Sequence, residues 1–226
     1  MKSGYLGQIA SQLRAICEEL VNDKNFDEGI HMIGLSQGGL FVRGLAQSCN
    51  FKGKIGSVIS IGGPQQGIYG IPKCPPGSYF ICKLIDKYLS KEAYTSSLQS
   101  TIIQSQYWQD PFRKSVYVEK SGFLAEYNKD RNEIKDMQSL DRVDNLVLVK
   151  FTQDSVVMPR ESEWFGFFKE NDITRITNMN ETELYKKDRI GLRKLSESAR
   201  LHLIAVEGDH LRFTMEWFRD LIKNFL

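Results

Sequence analysis

The stretch Gly34-Leu35-Ser36-Gln37-Gly38 places a serine hydroxyl between two glycines. This G-x-S-x-G spacing is typical of a nucleophilic serine on a sharp turn from a strand into a helix, where the hydroxyl can attack an acyl carbon. We expect both glycines because such a strained turn leaves no room for side chains two residues from the serine. The backbone N–H of Gln37 would then stabilise the oxyanion that forms. The alternative is an ordinary loop serine.

A serine hydroxyl needs an adjacent base to take its proton, and the chain has three histidines. His31 precedes the serine within its own predicted strand, so it cannot lie at the carboxyl edge of the sheet beside the hydroxyl. His202 lies inside the apolar run LHLIAV and is expected to be a strand histidine. His210 follows that run in VEGDHL, where Gly208 permits a tight turn. His210 is therefore the predicted base, with a solvated turn histidine as the alternative.

Asp154 is the predicted acid that holds the imidazole tautomer and stabilises its charged form. It follows the apolar run NLVLVKF, and the order serine, acid, histidine along the chain accompanies this kind of serine turn. Asp209 adjoins His210, but consecutive side chains rarely face each other. Asp144 precedes the apolar run, at the wrong end of a strand. A turn-capping aspartate is the alternative for Asp154.

Strands alternate with helices along the chain, which predicts an α/β domain with a mostly parallel sheet. Apolar and β-branched runs predict the strands, and apolar residues at helical spacing predict the helices. The predicted strands are 29–35, 54–64, 145–151 and 199–208, and the predicted helices are 5–22, 37–48 and 213–225. Residues 65–140 are rich in Ser, Gln, Tyr and Lys, and we expect them to form an insertion over the sheet of a single domain, 1–226.

The composition is that of an ordinary globular protein, with 41% hydrophobic residues, 26% charged residues and a net charge of +2. The basic residues are scattered, so no strong field for nucleic acid is expected. No run of about 18 apolar residues occurs, and the N-terminal stretch indicates an amphipathic helix, not a signal peptide. Three histidines without a C-x-x-C pair argue against a zinc site, and neither metal nor cofactor is expected.

The four cysteines, Cys17, Cys49, Cys74 and Cys82, allow three pairings. Cys74 and Cys82 bracket a turn that contains proline and glycine, which favours a local bridge. Cys17 and Cys49 would then link the first helix to the end of the helix after Ser36, and closing that loop could stabilise the fold by roughly 3–4 kcal/mol. The alternative is four buried free thiols. Bridges would imply an oxidising compartment.

With these residues placed, the sequence resembles the palmitoyl-protein thioesterases, more closely the lysosomal type 1 than the type 2 enzymes. The stretches that carry the resemblance are GLSQGG, ISIGGPQQGIYGIPKCP, QYWQDP, VKFTQDSVVMPRESEWFGFF, LYKKDRIGLRKL and EGDHLRFTMEWF. The resemblance implies an α/β-hydrolase fold and cleavage of thioester-linked fatty acyl groups from cysteines of lipidated proteins. It also implies location in the lysosome or secretory pathway.

The resemblance assigns roles to particular residues. Ser36 would be the acylated nucleophile, His210 the general base and acid, and Asp154 its orienting acid. The implied disulfides are Cys17–Cys49 and Cys74–Cys82, in agreement with the local interpretation above. The partners would be S-palmitoylated proteins and fatty acyl thioesters.

By the same analogy, the insertion would form a lid-like apolar groove for a long acyl chain. The aromatic stretch EWFGFF is one candidate for the lining, although such a cluster is more often core; its members are Trp164, Phe165, Phe167 and Phe168. Asn180 begins an N-x-[ST] sequon and is the predicted glycosylation site if the chain enters the secretory route.

The chain departs from the family at its N-terminus. Family members begin with a signal peptide and a strand leading to an HG-type loop, which donates the second oxyanion amide. This sequence has neither, so we expect an N-terminally truncated chain that lacks the first strands of the sheet, and its activity is in question. Two other readings stay open: a carboxylesterase or lipase on the same scaffold, and an inactive fragment acting at most as a binding protein.

Overall fold

A computed structural model describes residues 6–70, 92–131 and 137–226 of the chain. Its strands, in chain order, are β1 (Gly29–Leu35), β2 (Lys54–Ile61), β3 (Asn145–Phe151), β4 (Phe167–Lys169), β5 (Asp172–Thr177) and β6 (Leu201–Val206). Four of them pair in parallel in the order β1-β2-β3-β6, while β4 and β5 form a separate antiparallel hairpin. The predicted parallel α/β sheet is therefore confirmed.

The helices lie before, between and after these strands. They are α1 (Ile9–Asn22), α2 (Gln37–Ser48), α3 (Ser96–Thr101), α4 (Lys114–Lys120), α5 (Leu124–Tyr127), α6 (Glu183–Lys186), α7 (Leu192–Glu197) and α8 (Met215–Phe225). Among the described residues no helix has the length and apolar character needed to cross a bilayer.

The two central strands, β2 and β3, are buried on both faces, so their side chains pack into two separate hydrophobic cores. Val58 of β2 and Leu148 of β3 belong to the core that includes residues of α1 and α2. Ile59, Val147 and their neighbours on the opposite face pack with Leu221 of α8. Continuous apolar strands are what a parallel sheet covered by helices on both faces requires. The candidate residues thus follow strands that belong to a sheet packed on both faces.

The predicted and observed boundaries agree best around the serine. The strand 29–35, the helix 37–48 and the strand 145–151 have the predicted bounds, and the other predicted elements are shorter than expected at one end or both. The described part of segment 65–140 adds no strand to the parallel sheet and holds α3, α4 and α5. The hairpin of β4 and β5 was not predicted.

A disulfide joins Cys17 of α1 to Cys49, the residue that follows α2. The bridge closes a loop with a sequence separation of 32. A loop of that size stabilises the folded chain by about 3–4 kcal/mol on the chain-entropy model. Cys74 and Cys82, and with them the predicted second bridge, lie outside the described residues.

Candidate active site

Ser36 lies at the turn between β1 and α2, with backbone angles φ 53° and ψ −126°. A positive φ is strained for a residue with a side chain, and such strain persists only where neighbours hold it. Here the Ser36 N–H donates to the Ile61 carbonyl of β2 at 2.8 Å, and the Ser36 carbonyl accepts from the Gly39 N–H at 2.9 Å. These bonds place the serine hydroxyl above the carboxyl end of the sheet.

The reason for the glycines differs from the prediction at one position. A Cβ on Gly34 would lie 2.1 Å from the Gly38 carbonyl oxygen, so the first glycine is required as expected. A Cβ on Gly38, in contrast, would meet nothing within 4 Å. The second close approach is at Gly39, where a Cβ would lie 2.1 Å from Ser60 Oγ on β2. The expectation that Gly38 is sterically required was wrong, because the tight contact falls one residue later, where α2 crosses β2.

Alanine at these two adjacent glycines should therefore have opposite effects on stability. Gly39→Ala should lower the free energy of unfolding by about 1–3 kcal/mol, since the added methyl overlaps Ser60. Gly38→Ala should be neutral or stabilising by up to about 1 kcal/mol, because it adds helix propensity in open space. Urea unfolding of the two variants measures both. Equal destabilisation by both substitutions would contradict this account of the turn.

His210 lies in the loop after β6 and connects the serine to the acid. Its Nε2 is 2.9 Å from Ser36 Oγ, and its Nδ1 is 2.6 Å from Asp154 Oδ2. An ionised Asp154 can only accept, so Nδ1 carries the proton and donates it to the carboxylate. Nε2 is then left with a lone pair that accepts the Ser36 hydroxyl proton. The structure thus brings the three predicted residues into one chain of hydrogen bonds.

Asp154 is fixed by its own turn as well as by the histidine. Its Oδ1 accepts from the N–H groups of Val156 at 2.7 Å and Val157 at 2.8 Å. Burial alone raises the pKa of Asp154, but hydrogen bonds from His210, Glu163 and the Val157 N–H outweigh it, and the net shift is downward. The side chain is fully buried yet ionised. Asp154 therefore forms the Asx turn considered from the sequence and also contacts the imidazole.

The other residues weighed from the sequence lie away from the serine hydroxyl. His31 accepts the Ser57 N–H through Nδ1 at 3.0 Å, and His202 Nε2 lies 3.0 Å from Asn145 Oδ1. Both are strand histidines. Asp209 instead joins two loops, since its Oδ1 accepts from the Ser155 N–H at 2.8 Å.

Gln37 is the first residue of α2, so its N–H lies at the N-terminal end of a helix of 12 residues, directly beside Ser36. A helix N-terminus carries partial positive charge and directs N–H groups outward. This is the position expected for one oxyanion donor. The Gln37 side chain also accepts a hydrogen bond from the Tyr107 hydroxyl at 3.1 Å.

The aromatic stretch considered as an acyl lining is divided between core and surface. Phe165 and Phe167 are buried, whereas Trp164 and Phe168 are half-buried. Trp164 donates its indole N–H to the Leu148 carbonyl of β3 at 2.9 Å. Phe165 therefore has the core role that the sequence left open, whereas Phe167 and Phe168 line a cavity.

One acidic residue of the site was missed. Glu163, in the 3-10 turn Arg160–Trp164, is 1% exposed, and its carboxyl group lies beside that of Asp154. Polar atoms of Asp154, Glu163 and His210 all lie within 4.8 Å of one another. The available signal was an acidic residue directly before an aromatic run, nine positions after the predicted acid.

The arrangement is able to perform nucleophilic acyl transfer. A base within hydrogen-bond reach of a hydroxyl, itself oriented by a buried carboxylate, is the general requirement for activating a serine. The Ser36 hydroxyl and the Gln37 N–H belong to consecutive residues, as an attacking hydroxyl and one oxyanion donor would.

Comparison with known proteins identifies relatives along the whole chain. A family model described as palmitoyl protein thioesterase matches residues 1–210. The chain is 39% identical to palmitoyl-protein thioesterase 1 of Caenorhabditis elegans, over 100% of this chain and 76% of that protein. It is 35% identical to a palmitoyl-protein thioesterase–dolichyl pyrophosphate phosphatase fusion of Schizosaccharomyces pombe, over 100% of this chain and 36% of the fusion. A lysosomal thioesterase of Xenopus laevis is 31% identical over 80% of this chain and 62% of that protein.

Proposed function

The chain belongs to the palmitoyl protein thioesterase family, and from that premise we propose that it hydrolyses long-chain fatty acyl thioesters of S-acylated proteins through Ser36, His210 and Asp154. The observation that carries the proposal is the chain of hydrogen bonds from the Ser36 hydroxyl through His210 to the Asp154 carboxylate. A serine hydroxyl becomes a useful nucleophile when a positioned base can take its proton.

In the first half of the reaction Ser36 Oγ attacks the thioester carbonyl carbon and His210 Nε2 takes the hydroxyl proton. The resulting imidazolium is stabilised by Asp154, and the oxyanion accepts a hydrogen bond from the Gln37 N–H. When the tetrahedral intermediate collapses, the C–S bond breaks and the departing thiolate takes the proton from His210. The products of this half are an acyl ester on Ser36 and a free cysteine thiol.

In the second half a water molecule replaces the thiol. His210 Nε2 takes a proton from the water as its oxygen attacks the acyl carbon, and the same N–H group of Gln37 binds the oxyanion. Collapse breaks the bond to Ser36 Oγ, which recovers its proton from His210. The net reaction is thioester plus water to fatty acid plus thiol.

We propose that the described residues of segment 65–140, which are 65–70, 92–131 and 137–140, contribute to the acyl groove, and that the site of action is the lysosome or secretory pathway. The groove is supported by the position of the segment between β2 and β3 and by Tyr107, which donates to the Gln37 side chain beside Ser36 at 3.1 Å. The compartment is supported by the relative named as a lysosomal thioesterase and by the Cys17–Cys49 bridge, since disulfides form in oxidising compartments. Asn180 is exposed and is the proposed glycan attachment site.

A comparison of leaving groups tests the proposal. The purified chain should hydrolyse a palmitoyl thioester with a kcat/KM about 10-fold or more above that for the matched palmitoyl oxygen ester, a difference of about 1.4 kcal/mol in transition-state free energy. A thiolate leaves more readily than an alkoxide and depends less on protonation by His210. Release of thiol and of fatty acid, measured separately, gives both rates.

Two other results of this measurement would support the alternative functions that the sequence left open. Equal or faster hydrolysis of the oxygen ester would indicate a general carboxylesterase or lipase. Absence of turnover on both substrates, from a preparation that unfolds cooperatively on heating, would indicate an inactive protein that acts at most as a binding protein.

A further inference from the structure

Glu163 presents a buried carboxyl group behind the acid of the proposed mechanism. Its Oε2 accepts the Phe151 N–H at the end of β3, at a distance of 2.9 Å. Its Oε1 is also buried, and no N–H or O–H group of the described residues donates to it. A buried carboxylate oxygen with no donor is costly, because burial removes the water that would otherwise solvate it.

The neighbour of this carboxyl group is another carboxyl group. A carboxyl oxygen of Glu163 lies within 4.8 Å of a carboxyl oxygen of Asp154, whose Oδ2 is 2.6 Å from His210 Nδ1. Two ionised carboxylates this close would repel each other and could only accept, whereas a single proton on one of them removes the repulsion and allows a hydrogen bond between them. The question is which of the two holds it.

The surroundings of the two groups differ in the number of donors. Asp154 receives the N–H groups of Val156 and Val157 and the Nδ1–H of His210, whereas Glu163 receives a single N–H from Phe151. Each donor stabilises the ionised form. Asp154 therefore keeps the charge and Glu163 keeps the proton.

The electrostatics agree with this count of donors. Burial, and then the hydrogen bond and the negative charge of Asp154, raise the pKa of Glu163 to about 10. The charged and titratable groups facing the pair are His210, Lys150 and Asp209. Lys150 favours ionisation of Glu163 but is outweighed by burial and by Asp154.

We propose that Glu163 is a neutral carboxylic acid that donates its proton to Asp154 and thereby holds this carboxylate in position against His210. The proposal rests on the proposed function, in which Asp154 orients the base. Glu163 touches no reacting atom and is a positioning residue. Its proton supplies Asp154 with one more donor while leaving a single negative charge to face the imidazolium.

The first experiment compares the parent chain with Glu163→Gln and needs no activity. Glutamine can accept from Phe151 and donate to Asp154 as the neutral acid does, but it cannot ionise. Between the ordinary glutamate pKa of 4.5 and about 10, the folded parent holds a proton that the unfolded parent has lost. The parent therefore loses stability relative to Glu163→Gln as the pH rises through this range. The melting temperature of Glu163→Gln minus that of the parent should therefore increase from pH 5 to about pH 9.

A spectroscopic arm locates the proton directly. The infrared difference spectrum of parent minus Glu163→Gln at neutral pH should contain the C=O stretch of a protonated carboxyl group. The matched control is Glu161→Gln in the same turn, whose side chain is partly exposed and lies 3.5 Å from Arg160. The spectrum of parent minus Glu161→Gln should lack this C=O stretch, and the difference in melting temperature between Glu161→Gln and the parent should not increase with pH. A carboxylate band at Glu163, or melting temperatures that stay parallel across the pH range, would overturn the proposal.

Kinetics then test the positioning role. Glu163→Gln should keep kcat for palmitoyl thioester hydrolysis within about threefold of the parent, whereas Glu163→Leu should lower kcat about 10-fold or more with little change in KM, because Asp154 and the Phe151 N–H both lose a partner. A Glu163→Gln variant as slow as Glu163→Leu would overturn the proposal. Loss of parent activity on dialysis against EDTA, restored by a divalent cation, would do so too, since a cation would then replace the proton. If the parent has no thioesterase activity, the proposed function fails while the melting and infrared arms still locate the proton.

Discussion

Ser36→Ala should lower kcat for palmitoyl thioester hydrolysis by roughly 10⁵- to 10⁶-fold, as removal of a serine nucleophile does in other hydrolases. The substitution removes the oxygen that lies 2.9 Å from His210 Nε2, so no acyl ester can form at this turn. Folding should be preserved. Alanine and serine are equally strained at a φ of 53°, and the backbone hydrogen bonds of residue 36 to Ile61 and Gly39 remain.

The measurement is thiol release over time, together with labelling by a fluorophosphonate that reacts with activated serines. The matched control is Ser11→Ala, at an exposed position of α1, which should keep both activity and labelling. If Ser36→Ala retained more than about a tenth of the parent rate, a loss below 1.4 kcal/mol, the nucleophile would lie elsewhere.

Asp154→Asn should lower kcat by about 10⁴-fold, with KM almost unchanged, because it fixes the wrong histidine tautomer. The two backbone N–H groups of Val156 and Val157 point at Oδ1 and hold an oxygen there. The new amide nitrogen must therefore occupy the position of Oδ2 and donate to His210 Nδ1. Nε2 then carries the proton and faces the Ser36 hydroxyl as a donor, so it cannot act as the base.

Asp144→Asn is the matched control for this substitution. Asp144 is exposed and precedes β3, at the opposite end of the strand that leads to Asp154, so its amide should leave kcat unchanged. A kcat for Asp154→Asn within about 10-fold of the parent, less than 1.4 kcal/mol, would reduce Asp154 to the turn-capping residue considered from the sequence.

The main features of the sheet and the candidate site could be predicted from sequence because parallel topology restricts them strongly. Residues that follow the carboxyl ends of parallel strands meet at one edge, so the positions of Ser36, Asp154 and His210 after apolar runs were enough to bring them together. His31 and His202 lie inside strands and were set aside for the same reason. The catalytic roles of Ser36, Asp154 and His210 stay predictions until the variants above are measured.

Features that depend on three-dimensional contacts were not predicted. The position of Glu163 directly before an aromatic run was too weak a signal to identify it, because an acidic residue in a loop is normally solvated and only burial against Asp154 changes its chemistry. Likewise, G-x-S-x-G points to Gly38, while the close approach at Gly39 depends on Ser60 in another strand. The three residues of β4 are too few to show a periodic pattern.

The order of the strands also sets the width of the site. β1, which precedes Ser36, and β3, which precedes Asp154, are separated by β2, so about two inter-strand spacings, or roughly 10 Å, lie between them. An imidazole ring with a hydrogen bond at each end bridges this gap above the end of β2. Gly62 follows that strand, and a Cβ there would lie 3.2 Å from His210 Cε1. β2 supplies none of the three proposed catalytic side chains, yet it sets the distance between the Ser36 hydroxyl and the Asp154 carboxylate.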